Sequence, residues 1–245
     1  CETRGDCFYL MDSTKPGDAI SVSTGAVSTL DTNYAATYYP WVKIFDEENN
    51  KNVWVPPSVV MAGIYAFNDK IAAPWFAPAG LNRGNIRSAV GLAYNPSQTQ
   101  RDTLYRARIN PVVAFPGEGT MLFGDKTGLA RNSAFSRINV RRLFLTIEEA
   151  IKVASRSVLF EFNDQFTRDS FKAMVDPYLR DVQSRRGITD FLTVCDETNN
   201  TDTVIDRNEF VCSIFVKPNR SINYITLNFV AARSGVEFSE IYGAV

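Results

Sequence analysis

The sequence contains no histidine. Histidine is the usual general base near neutral pH and the commonest protein ligand of transition metals, so its absence disfavours acyl-transfer catalysis and most metal centres. The four cysteines are too few for a disulfide scaffold in a chain of 245 residues, and none forms a C-x-x-C pair. We expect reduced thiols, with Cys195 and Cys212 either as small buried apolar side chains or as a redox pair. No cofactor is predicted.

The chain has neither an excess of one charge nor a long apolar run. Its 26 basic and 27 acidic residues give a formal net charge of -1, and neither half is strongly basic, which argues against a direct nucleic-acid partner. No apolar run reaches the roughly 18–20 residues that a membrane helix needs, so membrane insertion is not predicted. The sequence has neither an initiator methionine nor a signal peptide, and we expect it to be the later part of a longer polypeptide.

Strand patterns and turn signals dominate the first hundred residues. Residues 6–12 form a short apolar run that predicts a buried strand, and residues 38–46 and 51–55 predict a hairpin around the polar loop EENN. Pro56 and Pro57 favour the start of a helix. Residues 73–86 hold prolines, glycines and aromatics and are predicted to form an ordered contact loop. A short helix is expected between residues 95 and 108, with a domain boundary near Arg101.

Long helices are predicted in the second half of the chain. After a hairpin built on the Pro-Gly-x-Gly turn at 116–119, apolar residues recur at steps of three and four, with Asn139 as the N-cap. A second helix is predicted from a cap at Thr167 to a stop at Gly187, with a kink or break at Pro177. Three strand-like runs follow, at 189–196, 209–218 and 222–232. The apolar face of the first helix comprises Val140, Phe144, Ile147, Ile151, Ala154 and Val158.

Two segments approach known ligand-binding motifs and fail on physical grounds. GTMLFGDKT at 119–127 resembles a phosphate-binding loop with one inserted residue, but Asp125 adds a negative charge where phosphate would bind. DETNNTDTVIDRNE at 196–209 is rich in calcium-type ligands, yet Thr201 and Arg207 occupy positions that need glycine and glutamate. We interpret the first as a structural hairpin and the second as a solvated loop. Neither an enzyme nor a metal-binding protein is predicted.

Two further features point to protein–protein contact. The first is a local group of arginines without an acid among residues 131–142, which is either a solvated helix start or a surface that docks onto an acidic protein. The second is the alternating segment after Gly235, which suits strand addition to a neighbouring sheet or, alternatively, pairs within its own domain or frays. The arginines are Arg131, Arg137, Arg141 and Arg142; the segment is Gly235, Val236, Glu237, Phe238, Ser239, Glu240 and Ile241.

Three stretches together resemble the contractile tail sheath proteins of T-even-like bacteriophages. The first is YYPWVKIFDEENNKNVWVPPSVVMAGIYAFND at 38–69 with PWFAPAGLNRG at 74–84. The second is LYRARINPVVAFPGEGTMLFGDKT at 104–127, and the third is SAFSRINVRRLFLTIEEAIKVASRSVLFEFND at 133–164. Residues 186–196 and 214–230 continue the resemblance, which covers nearly the whole chain. It implies an α+β fold, in which a mixed β-sheet packs with two long helices and follows the end of an α/β middle domain. On this view residues 1–101 belong to the middle domain, and residues 102–245, with the 109–122 hairpin, to the C-terminal domain.

The resemblance implies a mechanical function. Sheath subunits of this family stack as sixfold rings around the tail tube, and contraction drives the tube through the host envelope. Each subunit lends a terminal strand to a neighbour, a role that falls here on residues 235–241, while the four arginines are assigned to the tube-facing surface. The implied partners are other copies of the chain, the tail tube protein, and baseplate and tail terminator proteins. The implied location is the phage tail, assembled in the bacterial cytoplasm. The alternative is a non-polymerising baseplate or capsid binding module.

Overall fold

The computed structural model of the protein describes residues 1–223. Three separate sheets organise this part of the chain, in the strand orders β1-β2-β6-β7, β4-β3-β5 and β8-β9. The strands are β1 (Tyr9–Asp12), β2 (Ala35–Tyr39), β3 (Val42–Asp46), β4 (Lys51–Val55), β5 (Ala89–Leu92), β6 (Ile109–Phe115), β7 (Gly119–Leu122), β8 (Ile188–Val194) and β9 (Ser213–Pro218). The helices are α1 (Ile20–Ala26), α2 (Pro57–Ile71), α3 (Gly80–Arg83), α4 (Gln98–Arg106), α5 (Ile138–Ser155), α6 (Gln165–Ser184) and α7 (Asp202–Asp206).

The four-stranded sheet is the centre of the first half. β1, β2 and β6 run parallel and β7 returns antiparallel to β6, so the sheet is mixed. All five residues of β2 are buried because this strand lies between two others. The predicted buried strand at 6–12 is a strand only at β1, and it is an edge strand with Tyr9 55% exposed. Sequence alone gives no signal for which strand of a sheet lies at its edge.

The aromatic run at 38–46 is divided between two sheets. β2 ends at Tyr39, a cis peptide bond joins Tyr39 to Pro40, and β3 begins at Val42 in the second sheet. The predicted hairpin is confirmed for β3 and β4, which pair from Val42 with Val55 to Asp46 with Lys51. α2 begins at Pro57, as predicted.

Arg101, where a domain boundary is predicted, lies within helix α4. Immediately after α4, β6 pairs with β2, and β7 completes the same sheet, so the sheet continues across the boundary predicted near this residue. The hairpin predicted at 109–122 is confirmed, with Gly117 and Gly119 at φ +81° and +89° in its turn. Left-handed backbone of this kind favours glycine, which has no Cβ to clash.

Two long helices pack with the β8–β9 hairpin, as the predicted fold class requires. Their shared core includes Leu143 and Ile147 of α5, Leu179 of α6 and Ile188 of β8, and all four are buried. The predicted face of α5 is confirmed in part: Val140 and Ile147 are buried, whereas Phe144, Ile151, Ala154 and Val158 are half-buried. Ile138 and Leu143 are deeply buried apolar residues of α5 that the predicted periodicity omits.

The helix ends differ from the predicted caps. α5 begins at Ile138, so Asn139 lies inside its first turn rather than at the N-cap. The cap of α6 is Asp164, whose carboxylate accepts the Thr167 backbone N–H at 2.8 Å, and α6 continues through Pro177 without a break. In both cases the sequence offers several polar residues within one turn, and only the backbone path selects among them.

The polar segment between β8 and β9 is held by a buried asparagine. Asn200 is 2% exposed; its amide donates to the Val211 carbonyl and its side-chain oxygen accepts the Val211 N–H, both at 2.8 Å. α7 lies in the same segment. The predicted solvated loop is therefore a folded connection with exposed acidic residues at its surface.

Candidate assembly interface

The four predicted arginines do not form one exposed patch, because three of them contact other residues of the same subunit. Arg141 is 4% exposed, pairs with Glu148 at 2.9 Å and stacks over the rings of Tyr34 and Phe135 at 4.4 and 5.2 Å. A guanidinium between two aromatic rings gains cation–π attraction and loses its access to a partner protein. Arg141 therefore joins α5 to the first half of the chain.

The remaining arginines divide between internal contacts and solvent. Arg142 forms an ion pair with Asp69 of α2 at 2.6 Å, with only 11% of its side chain exposed. Arg137 hydrogen-bonds the hydroxyl of Tyr105 and is half-buried. Arg131 is exposed. Arg137, Arg141 and Arg142 therefore have partners within the subunit, and a contact of the four arginines with the tail tube stays a prediction.

Asp125 holds Ser221, the residue from which the C-terminal segment departs and which we call its root. The sequence alone did not indicate this role. It is 3% exposed; its carboxylate accepts the Ser221 hydroxyl at 2.6 Å and the Asn139 N–H of α5 at 3.4 Å. Burial raises the pKa of Asp125 to about 6, and the Ser221 hydrogen bond and the positive charge of Arg137 oppose that rise. No sequence spacing connects residues 125 and 221, so only the fold reveals the pair.

The residues next to Ser221 are held in the same way. The Asn139 amide donates to the Asn219 carbonyl at 3.3 Å, and the Asn219 side chain donates to the Arg186 carbonyl at 2.8 Å. The amide of Asn223 is hydrogen-bonded to the Tyr105 hydroxyl. The chain thus leaves the described structure from a fixed position between the central sheet and the start of α5.

The β8–β9 hairpin presents open edges within residues 1–223. Its inner face packs Phe191, Ile214 and Val216 against the core of α5 and α6. On its outer face Leu192 lies opposite Phe215, and these side chains are 58% and 60% exposed. In the described part of the chain each strand has a single partner, which leaves one edge of backbone donors and acceptors on each side.

The predicted strand arm, Gly235 to Ile241, and most of the strand-like run at 222–232 lie outside the described residues. They stay predictions. The structure describes what lies on their N-terminal side, which is the anchored root at Ser221 and the hairpin formed by β8 and β9.

The segments considered for chemistry have structural roles. Within GTMLFGDKT, residues 119–122 are strand β7, and a Cβ on Gly124 would lie 2.7 Å from the Asn110 side chain, so this glycine permits close packing. Cys195 and Cys212 are free thiols at the α5–α6 core. Burial raises the pKa of both, that of Cys212 to about 12, so the thiols stay protonated at neutral pH.

Residues 1–223 contain neither a metal-binding cluster nor a membrane-spanning helix. No cluster of three or more acidic or cysteine side chains in residues 1–223 is arranged to hold a metal ion. Within the same residues, no helix combines the length and apolar character that crossing a bilayer requires.

Comparison with known families covers nearly the whole chain. Residues 1–128 match the phage tail sheath protein central domain, and residues 130–232 match the phage tail sheath C-terminal domain. The chain belongs to the phage tail sheath family. The central-domain match includes the 109–122 hairpin, so the assignment of this hairpin to the C-terminal domain is wrong. The physical reason is that β6 of this hairpin pairs with β2, so the hairpin is part of the sheet of the first half of the chain.

Individual relatives of this sheath-family chain agree with that assignment. It is 50% identical to the tail sheath protein of Vibrio phage KVP40 over 92% of its length, and 47% identical to that of Enterobacteria phage T4 over 81%. It spans about a third of each relative, 32% and 30% respectively. Among solved structures, the sheath complex of an extracellular contractile injection system in its contracted state matches with a TM-score of 0.82 and 26% identity, over 92% of this chain and 64% of that one.

Proposed function

We propose that this chain is the later part of a structural subunit of a phage contractile tail sheath, which polymerises as stacked sixfold rings around the tail tube. The observation that carries the proposal is the 50% identity to a tail sheath protein over 92% of the chain. Both the pairing of β6 with β2 and the junction of the two family matches support a domain boundary between residues 128 and 130.

Contraction then converts an extended polymer to a lower-energy one, with the free energy held in contacts between subunits. The proposed partners are other copies of the chain, the tail tube, the baseplate and the tail terminator, with assembly in the host cytoplasm. This function needs no catalytic site, and none is proposed.

Strand exchange through residues 235–241 is the proposed connection between subunits. An added strand gains main-chain hydrogen bonds from an open sheet edge, and its alternate side chains set the register. The edges of β8 and β9 are suitable acceptors, and the exposed pair Leu192 and Phe215 offers apolar contact beside them. The fixed root at Ser221 supports the proposal because it sets the direction in which the segment departs.

The experiment replaces the apolar positions of the arm in the full-length protein, Val236→Asp with Phe238→Asp. We expect folded subunits that no longer form tubes, as seen by circular dichroism and negative-stain electron microscopy. The matched control changes the alternate positions, Glu237→Gln with Ser239→Ala, and should assemble normally. Normal tubes from the first variant, or from a protein truncated before Gly235, would refute strand exchange. A wild-type protein that forms no tubes would favour the non-polymerising baseplate or capsid module.

A further inference from the structure

The connection between α5 and α6, together with the first turn of α6, displays four large apolar side chains to solvent. We call residues 159–166 the tip. Within it, Leu159, Phe160, Phe162 and Phe166 are 63%, 104%, 84% and 81% exposed. Scattered exposed apolar residues are ordinary, but a contiguous group of this size marks an interaction surface.

The backbone of the tip has a defined conformation. Phe160 has a φ of +71°, the Asn163 amide donates to the Glu209 carbonyl at 2.8 Å, and Asp164 caps α6. A phenylalanine in left-handed backbone is unusual, and the contacts of Asn163 and Asp164 that follow it hold the turn. The side chains therefore project from a framework that is formed before any partner binds, which lowers the entropic cost of binding.

A groove of matching chemistry lies elsewhere on the described structure. It encloses about 920 Å³ and combines aromatic walls with an excess of positive charge, four arginines against two aspartates. The tip has the opposite balance, with Glu161 and Asp164 and no basic residue. The aromatic walls include Trp75, Phe76 and Phe123, and the four arginines are Arg83, Arg101, Arg186 and Arg220.

The tip and the groove lie at opposite ends of the α5–α6 pair. Asn139, in the first turn of α5, and Arg186, just beyond the end of α6, both line the groove. The tip connects the other two helix ends. An 18-residue helix is about 27 Å long at a rise of 1.5 Å per residue, so the tip of a subunit is too far away to fill its own groove.

We propose that the tip of one subunit inserts into this groove on a second copy of the chain. The phenylalanines contact the aromatic walls, and the acids of the tip face the arginines of the groove. Because the two surfaces differ, the contact is head-to-tail: the subunit that inserts its tip keeps a free groove, and the subunit that receives it keeps a free tip. Such a contact extends a ring or a helical array instead of closing a dimer. The inference rests on the proposed self-assembly.

The test is disulfide cross-linking of assembled full-length protein that carries Glu161→Cys and Arg220→Cys. Both positions are exposed. Under mild oxidation we expect a ladder of covalent multimers on non-reducing gels, and dimers only when the two single variants are mixed. Wild-type protein gives the background from the natural cysteines. The matched control pairs Arg220→Cys with Glu48→Cys, an exposed acid in the β3–β4 turn, and should give no ladder.

The outcomes separate this inference from the proposed function. Tubes that form normally without a ladder above the control would overturn the tip-to-groove contact and leave the sheath function intact. A wild-type protein that forms no tubes would overturn both. The groove has one rival occupant in the same chain, the C-terminal segment. An intramolecular cross-link between Phe238→Cys and Arg220→Cys in monomeric protein would show that this segment fills the groove, and would refute the proposal.

Discussion

Gly187, just beyond the end of α6, packs closely against Val182 of that helix and against Trp75 of the first half of the chain. The Gly187 N–H donates to the Val182 carbonyl at 2.8 Å, and the left-handed residue of this turn is Arg186, with φ +65°. A Cβ on residue 187 would lie 2.6 Å from Cγ1 of Val182 and 3.2 Å from Cδ2 of Trp75. Glycine is needed here for space, whereas the left-handed turn residue is an arginine.

The cost of Gly187→Ala follows from these distances. Carbon atoms pack best at about 3.5–4.0 Å, so the added methyl group must displace Val182 or the Trp75 ring. Overpacking of this kind costs about 1–3 kcal/mol. The same substitution lowers the conformational entropy of the unfolded chain, which stabilises the folded state by about 0.4–1 kcal/mol. We expect a net loss of stability of about 0.5–2 kcal/mol.

Gly63→Ala in α2 is the matched control, because a Cβ at that position would meet nothing within 4 Å. Alanine in an exposed helix interior should stabilise by about 0.5–1 kcal/mol. The assay is urea unfolding of both variants and the wild type, followed by tryptophan fluorescence. The two midpoints should move in opposite directions. Equal stabilisation by both alanines would refute the close contact at residue 187.

Two other residues give predictions of different kinds. Since burial raises the pKa of Asp125 to about 6, above its ordinary value near 4, the folded protein keeps a proton that the unfolded chain releases, and stability should fall as pH rises from about 4 to about 6. Asp125→Asn should flatten this part of the profile of thermal unfolding against pH, and an unchanged slope would contradict the assignment. Asn200→Ala removes both hydrogen bonds from the buried Asn200 side chain to the Val211 backbone and should cost on the order of 3 kcal/mol in urea unfolding. The exposed control Asn49→Ala should stay within about 0.5 kcal/mol, and equal losses would refute the role of Asn200.

Local signals explain the elements that were predicted correctly. The β3–β4 hairpin, the start of α2 at its prolines and the β6–β7 turn depend on residues adjacent in the chain. The family resemblance is also a property of the sequence, and the comparisons confirm it. The stripe at steps of three and four identified α5 but missed Leu143, because burial depends on which elements cover the helix.

The sequence by itself determined the two long helices, the β3–β4 and β6–β7 hairpins and the family, because these follow from short-range spacing and residue type. The tertiary structure alone decided which side chains share a neighbourhood. It placed Arg141 between two rings, joined Asp125 to Ser221 across 96 residues, and put the tip and the groove at opposite ends of two helices. The physical reason is that hydrogen bonding, burial and electrostatic shifts depend on distance in space, which the chain sets only when it folds.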